Sequence, residues 1–289
     1  MNLCVFDIGG SSVKYGCLTG DGLVEVGSFK TPQTWEKMRN DLYSVFSEMN
    51  EKYVLSGVAF SAPGAVDSKN DIIRGDSAVP YIHGFPIRKE LQELFLLPVS
   101  IENDANCAAL AELDRGAAKD VENAIFMIIG SGIGGAVIVN RALQRGRNLF
   151  GGEFGYMLLD EKHSLSNLGS PVEMAKRYAL EMGETDIEGS EVFRRADEGE
   201  PLAEAHVERL IDALSRGIFN LNCALNPDKI IIGGGLSKRT DLIIRLQEKT
   251  EMYLKSKGAE EIDLDIVPCV FRGDANLIGA AVHFMEFTS

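Results

Sequence analysis

Three polar residues, Glu102-Asn103-Asp104, stand where an apolar segment gives way to a helical pattern. Residues 99–101 are typical of the end of a buried strand, and from Ala105 apolar residues recur at helical spacing. Side chains at the carboxyl end of such a strand point into the crevice where ligands bind. A carboxylate near the positive end of a helix stays ionised and can accept a proton. Asp104 is therefore a candidate catalytic base, while Asn103 or Asp104 could instead act only as the helix cap.

Two glycine-rich turns have the composition of phosphate-binding loops. The first, residues 9–12, follows an apolar strand (2–6) that ends in Asp7, and the second, residues 130–135, follows an apolar strand at 123–129. Glycine lacks the Cβ that would keep a phosphate from the backbone N–H groups, and Asp7 could orient Mg²⁺ through water. Both turns lead into a return strand, which excludes a Walker loop or a Rossmann fingerprint. Each alone could be a simple turn, but the repetition suggests duplicated halves that join near residues 117–122.

Strands and helices are predicted along the whole chain, which favours an α/β fold. A hairpin is predicted from the runs 13–18 and 23–30. Thr34 is expected to cap the first helix. A polar loop is predicted at 163–171. The further predicted helices cover 34–52, 86–95, 171–182, 190–198, 202–225, 241–257 and 276–287, and the further strands cover 54–60, 136–140, 229–232 and 264–270.

Composition excludes several classes of protein. The 289 residues suffice for two modest domains, and 45% hydrophobic and 25% charged residues are ordinary for a soluble protein. The net charge of −14 argues against binding to a nucleic-acid backbone. The five cysteines form no Cys-x-x-Cys pair, and no run approaches the ~18 apolar residues of a membrane span. No basic segment precedes the first apolar run, so we expect no signal peptide, no membrane partner and a cytoplasmic location.

Six segments together resemble the ROK family of sugar kinases, within the superfamily of actin-like ATPases, hexokinases and Hsp70-type ATPases. The resemblance covers nearly the whole chain and depends on the order and spacing of the segments. It implies two RNase H-like domains with a cleft between them, residues 1–118 with the returning helix 275–289 and residues 119–274. The segments are DIGGSSVK (7–14), APGAVD (62–67), ENDANCAALAE (102–112), IGSGIGGA (129–136), GGEFGY (151–156) and IIIGGGL (230–236).

The resemblance also implies an activity, ATP-dependent phosphorylation of a sugar hydroxyl with Mg²⁺, and a homodimer. Asp104 matches the family's catalytic base, which takes the proton from the attacking sugar hydroxyl, as phosphoryl transfer requires. The matching sugar-binding residues are Asn103, Gly64 and Glu153, with Tyr156 and Glu173 as further members of the pocket. The matching ATP-binding residues are Asp7 (through Mg²⁺), Gly9, Gly10, Ser11, Ser12, Lys14, Gly130, Ser131, Gly132, Gly134, Gly233, Gly234 and Gly235.

The chain departs from the family pattern at its zinc site. Tyr156 stands where most members have a histidine, and residues 163–173 contain none of the cysteines of the family's cluster. Since tetrahedral zinc requires four donors, we expect a zinc-less member. Segments 150–156 and 163–173 would then be held by packing and hydrogen bonds alone and be more mobile and more open. This predicts transfer to the 6-hydroxyl of a hexose with room for an anomeric substituent, as in a β-glucoside, while plain glucose or a related hexose remains an equal alternative.

Three other functions are alternatives to a sugar kinase. Some ROK proteins are transcriptional repressors with a winged-helix domain ahead of the kinase-like part. Because Asp7 already lies on the first strand, no DNA-reading segment is predicted. A catalytically weak sugar-sensing regulator would lack a reason to keep Asp104 together with both glycine turns. A kinase of acetate, glycerol or another small substrate is the third alternative, and the Glu-Asn-Asp triplet favours a sugar.

Overall fold

Residues 1–271 and 273–288 are described by the computed structural model of the chain. They form two compact units. Unit 1 comprises residues 1–116, 146–150 and 273–288, and unit 2 comprises residues 117–145 and 151–271. Each unit contains its own five-stranded sheet and its own hydrophobic core.

The sheet of unit 1 combines an antiparallel hairpin with parallel strands, in the order β3-β2-β1-β4-β7. Strands β1, β2 and β3 pair antiparallel, whereas β1, β4 and β7 pair parallel. A separate hairpin, β5 with β6, follows β4. The strands are β1 (Asn2–Ile8), β2 (Ser12–Thr19), β3 (Gly22–Lys30), β4 (Leu55–Ala62), β5 (Ala65–Asp67), β6 (Ile72–Arg74) and β7 (Val99–Asn103).

Three helices of unit 1 follow its strands: α1 (Trp35–Lys52), α2 (Ile87–Phe95) and α3 (Asp104–Arg115). Thr34 caps α1 as predicted, since its side chain accepts a hydrogen bond from the backbone N–H of Lys37. The buried face of α1 packs against stacked rings of the sheet, and the ring centroids of Phe6 and Phe60 lie 5.1 Å apart. These contacts fix the sheet edge at which β1, β4 and β7 end.

Unit 2 repeats the same strand plan, in the order β10-β9-β8-β11-β12. Strands β8 to β10 pair antiparallel, and β8, β11 and β12 pair parallel. The strands are β8 (Ala124–Ile129), β9 (Ile133–Val139), β10 (Ala142–Leu143), β11 (Lys229–Gly234) and β12 (Ile266–Pro268). The helices are α4 (Leu165–Gly169), α5 (Pro171–Met182), α6 (Gly189–Asp197), α7 (Pro201–Leu225) and α8 (Thr240–Ser256).

The last helix, α9 (Ala275–Thr288), belongs to unit 1 and packs on α3. Contact is closest at Gly279, where an added Cβ would lie 1.6 Å from the carbonyl oxygen of Cys107. Only glycine permits this approach of two helices. The packing of α9 brings the side chain of Asn276 to the sheet edge of unit 1.

The predicted α/β fold class is confirmed, but several elements differ from the sequence prediction. The polar loop predicted at 163–171 is wrong, because its middle forms the short helix α4. Ser164 and Asn167 form a capping box there, a local signal that the polar composition concealed. β9 begins at Ile133, so the second turn is shorter than predicted and Gly134 lies in a strand. The β5–β6 hairpin was not predicted.

The termini of the other elements differ by a few residues. β1 continues past the predicted end to Ile8, which places Asp7 inside the strand. β7 extends through Asn103, and α3 begins at Asp104. In the part of the chain that the structure describes, no helix is both long enough and apolar enough to span a membrane.

Candidate active site

Asp7 belongs to a row of polar residues across the sheet of unit 1. The strand registers place Asp7 opposite Ser61, and Ser61 opposite Glu102. The Ser61 hydroxyl donates a hydrogen bond of 2.7 Å to Oδ1 of Asp7. The Nδ2 amide of Asn276, from α9, donates to the same oxygen at 3.0 Å. Two donors on one oxygen fix the orientation of this carboxylate, and neither donor was among the predicted site residues.

Asp104 is the first residue of α3 and is partly buried. Its Oδ1 accepts hydrogen bonds from the backbone N–H of Ala105 at 2.8 Å and from Nδ2 of Asn103 at 2.9 Å. Burial raises the pKa of the Asp104 carboxyl, and the negative charge of Asp7 raises this pKa further. A positioned carboxylate with a raised pKa is a better proton acceptor than an ordinary aspartate.

Asn103 joins Asp104 to Gly64. Its Oδ1 accepts the N–H of Asn106 and so caps α3, while its Nδ2 donates to the carbonyl of Gly64 at 3.1 Å. Gly64 has a φ of +102°, and an added Cβ would lie 2.8 Å from atoms of His83 and Ile73. The N-cap of α3 is therefore Asn103, so helix capping does not account for an aspartate at position 104. The structure brings Gly64, Asn103 and Asp104 together in unit 1.

The first glycine turn is tightly packed. The N–H of Gly9 donates to the carbonyl of Ser12, and an added Cβ on Gly10 would lie 2.6 Å from Cβ of Ala78. Lys14 pairs with Asp7 in the β1–β2 register, and its Nζ donates to the carbonyl of Gly273 at 3.1 Å. The remaining predicted residues, Ser11 and Ser12, lie in the turn and at the start of β2. Packing within the chain thus already requires the glycines of this turn.

The second glycine turn, in unit 2, is different. An added Cβ would meet no atom within 4 Å at Gly130 or Gly134, and at Gly132 only Oγ of Ser166 at 3.5 Å. Ser131 is exposed, and its carbonyl accepts a hydrogen bond from Ser170. Packing within the chain does not require glycine at these positions. The space beside these glycines lets a phosphate ligand approach the backbone, while the N–H of Gly130 itself donates to the carbonyl of Gly132 at 2.9 Å.

A cavity of about 770 Å³ in unit 2 borders this turn, and no sequence pattern predicted it. Gly130 lies at one border and Gly235 at another. Gly235 has no atom within 4 Å of an added Cβ, unlike Gly233 and Gly234, which pack against Phe126 and the backbone of Ile129. The rest of the wall is one face of α5 and the segment after it: Pro171, Val172, Ala175, Lys176, Ala179, Leu180 and residues 184–190. The volume is typical of small-molecule sites.

The other predicted sugar residues lie in unit 2. Glu153 is exposed and precedes the 3-10 turn Phe154–Tyr156, and Tyr156 is 70% exposed. Glu173 lies in the first turn of α5, where its carboxylate pairs with Nζ of Lys176 at 2.6 Å. Among residues 1–271 and 273–288, no group of three or more His, Cys, Asp or Glu side chains could hold a metal ion.

Known proteins resemble the chain over its full length. The sequence profile of the ROK family matches residues 3–286. The chain belongs to the ROK family. The beta-glucoside kinase of Listeria innocua is 31% identical to this ROK protein, over 99% of this chain and 98% of the relative. The beta-glucoside kinase of Klebsiella pneumoniae is 32% identical, over 99% and 97%. A solved ROK family protein from Streptococcus pneumoniae, in complex with sucrose, has a TM-score of 0.91 at 36% identity, covering 100% of this chain and 99% of that chain.

These comparisons confirm the predicted ROK membership and the two-domain, actin-like fold. They also confirm the predicted enzyme class, an ATP-dependent carbohydrate kinase. The roles of individual residues of this ROK kinase and the identity of its sugar remain predictions.

Proposed function

We propose that this ROK kinase transfers the γ-phosphoryl group of ATP to the 6-hydroxyl of a hexose, with Asp104 as the general base. The observation that carries the proposal is the environment of the Asp104 carboxyl. Hydrogen bonds from Asn103 and Ala105 fix its position, while burial and the charge of Asp7 raise its pKa. A carboxylate in this state can take the proton of an attacking hydroxyl, which is the one step of phosphoryl transfer that needs a base.

The sugar-binding groups in this proposal are those matched by the family pattern. In unit 1 the amide of Asn103, held by Gly64 and Asp104, offers a neutral polar group for a sugar hydroxyl. In unit 2 the exposed Glu153 offers an acceptor, and the exposed ring of Tyr156 can stack on a sugar face. Glu173 is a weaker member of the set, because its carboxylate already pairs with Lys176.

The cavity of unit 2 is the proposed site of the nucleoside part of ATP. Its apolar wall along α5 suits a flat base, and Gly130 and Gly235 leave their backbones accessible at its border. The open second turn, with Gly132 and Gly134, would then receive phosphate oxygens on its N–H groups. The first turn, from Gly9 to Ser12, is the second proposed phosphate contact.

Asp7 fits the Mg²⁺ that accompanies ATP in kinases of this kind. Mg²⁺ is bound through one or two carboxylates together with water and phosphate oxygens, so a single oriented carboxylate is sufficient. Ser61 and Asn276 supply that orientation, since both donate hydrogen bonds to Oδ1 of Asp7. Bound there, the ion would neutralise phosphate charge, while the protein holds the sugar and the base.

The preferred substrate in this proposal is a hexose that carries an anomeric substituent, such as a β-glucoside. Support comes from Tyr156, whose exposed ring replaces the family's histidine, and from two relatives named as beta-glucoside kinases. The solved relative in complex with sucrose also holds a disaccharide. Plain glucose is the alternative substrate.

A coupled ADP-release assay across a sugar panel tests the function. We expect turnover with hexoses and a kcat/KM for cellobiose at least equal to those for glucose, N-acetylmannosamine and fructose. A preference above roughly tenfold for a free monosaccharide, about 1.4 kcal/mol of discrimination, would exclude the β-glucoside. If the protein bound a sugar but released no ADP with any sugar of the panel, the catalytically weak regulator would be favoured.

A further inference from the structure

One wall of the cavity in unit 2 is a segment without regular secondary structure. This rim segment, residues 183–188, connects α5 to α6, and its last five residues all line the cavity. One end of the rim segment meets Gly189, the first residue of α6, which packs closely on α5, since an added Cβ would lie 2.9 Å from Cβ of Pro171. Ile187 packs against the core of unit 2. The other end of the rim segment, around Glu184, is held by an ion pair.

The carboxylate of Glu184 is bound by Arg195, which lies on α6. Nη1 of Arg195 donates to Oε1 of Glu184 and Nη2 donates to Oε2, both at 3.0 Å. Two parallel hydrogen bonds of this kind fix direction as well as distance. They therefore restrain where the rim segment leaves α5.

Arg195 is itself held from two helices. Its Nε donates to Oε1 of Glu191 at 2.8 Å, and its Nη1 donates to the hydroxyl of Tyr178 at 2.9 Å. The guanidinium carbon lies 5.5 Å from the centre of the Tyr178 ring. Tyr178 is fully buried on α5, and its hydroxyl donates to Glu200 at 2.5 Å. Isolated exposed ion pairs contribute little, but this guanidinium is pre-positioned by a buried ring.

We propose that Arg195 is a positioning residue for the nucleotide, acting through Glu184 to hold the rim segment in the shape that receives the nucleoside. The proposal rests on the proposed function, in which this cavity binds ATP. A wall that is already ordered binds its ligand with a smaller loss of conformational entropy. Arg195 therefore acts on nucleotide affinity and leaves the phosphoryl transfer step unchanged.

The test is the substitution Arg195→Gln, measured with steady-state kinetics and with calorimetry of a non-hydrolysable ATP analogue in the absence of sugar. We expect the KM for ATP and the Kd of the analogue to rise about five- to tenfold. The kcat and the KM for the sugar should stay within about twofold. A general structural defect would instead change kcat and both KM values together.

The matched control is Arg194→Gln on the same helix. Arg194 pairs with Glu191 and Glu198, neither of which lines the cavity. Its loss leaves the bond between Glu191 and Nε of Arg195 in place, so nucleotide affinity should be unchanged. Glu184→Gln should reproduce the effect of Arg195→Gln. The double variant should bind the ATP analogue with a Kd no higher than that of either single variant. Additive losses, or an unchanged Kd in Arg195→Gln, would overturn the proposal. A wild-type protein that binds no ATP analogue would overturn the proposed function as well.

Discussion

The proposed chemistry depends on one residue, Asp104, and on the position of its carboxyl group. Its neighbours fix it without neutralising it, because Asn103 and the N–H of Ala105 donate and Asp7 repels. Asp104→Asn keeps the oxygen that accepts these bonds but removes the base. We expect turnover to fall roughly 10²–10⁴-fold, with the Kd of an ATP analogue unchanged. Near-wild-type turnover of the folded variant would contradict the assignment.

The raised pKa of Asp104 gives the same substitution a second consequence. A carboxyl whose pKa is higher in the folded than in the unfolded state lowers stability once it ionises, as pH rises above its unfolded value. Asp104→Asn should therefore raise Tm at neutral pH, and this gain should vanish as pH falls toward the ordinary aspartate value of about 3.9. In the wild type, the fall of kcat/KM at low pH should likewise occur at a pH above the ordinary aspartate pKa. Thermal unfolding across pH, compared between the two proteins, measures the difference.

At the scale of elements, the two glycine turns look alike in sequence but differ in what surrounds them. The close contact with Ala78 requires glycine at position 10. Replacing Gly10 would therefore disturb packing, and a change in ligand affinity could not be attributed to lost ligand contacts. Gly132 has room for a methyl group, with Oγ of Ser166 at 3.5 Å as the nearest neighbour. Only the second turn therefore offers a substitution that separates ligand binding from folding.

Gly132→Ala is that substitution. We expect an unchanged Tm and a Kd for an ATP analogue raised by roughly tenfold, since a methyl group would stand where phosphate approaches the backbone. Gly20→Ala is the control, because Gly20 lies in the turn between β2 and β3 with no atom within 4 Å of an added Cβ. Unchanged calorimetric affinity in a folded Gly132→Ala protein would exclude this turn as a phosphate contact.

Features that depend on a local sequence pattern were predicted correctly, whereas features that depend on tertiary packing were not predicted. The cap of α1 by Thr34 and the strand-to-helix junction at Asp104 follow from short patterns of polar and apolar residues. Asn276 supports Asp7 from 269 positions away along the chain, and no local pattern reports such a contact. The cavity along α5 depends on one helix face and on the path of the rim segment. The open space at Gly132 depends equally on tertiary packing.

At the scale of the whole molecule, the two units repeat one strand plan but contain different groups of the proposed function. Unit 1 contains the proposed base and the carboxylate proposed for Mg²⁺, whereas unit 2 contains the open glycine turn and the cavity. The duplication places a glycine turn after the first strand of each sheet. The surroundings of Gly10 and Gly132 differ, so packing within the chain constrains the first turn more than the second.

The segment that carries the family's zinc cluster is held in this chain by hydrogen bonds. Oγ of Ser166, on α4, accepts the N–H of Ile133 at 2.9 Å. The hydroxyl of Ser170 donates to the carbonyl of Ser131 at 2.9 Å. Arg177 donates to the carbonyl of Leu168 at 3.2 Å. These hydrogen bonds connect α4 and the residue after it to the second glycine turn, to the start of β9 and to α5.

We therefore expect the purified protein to contain no stoichiometric zinc and to keep its Tm in EDTA. Activity should disappear in EDTA through loss of Mg²⁺ and return fully when Mg²⁺ is added in excess. Ser166→Ala should lower the free energy of unfolding by about 1–3 kcal/mol, because it leaves the buried N–H of Ile133 without its acceptor. Elemental analysis measures the zinc content. Thermal unfolding measures the Tm with and without EDTA, and it also measures the stability of Ser166→Ala. One zinc ion per chain, or a Tm that falls in EDTA, would show that a metal holds this segment after all.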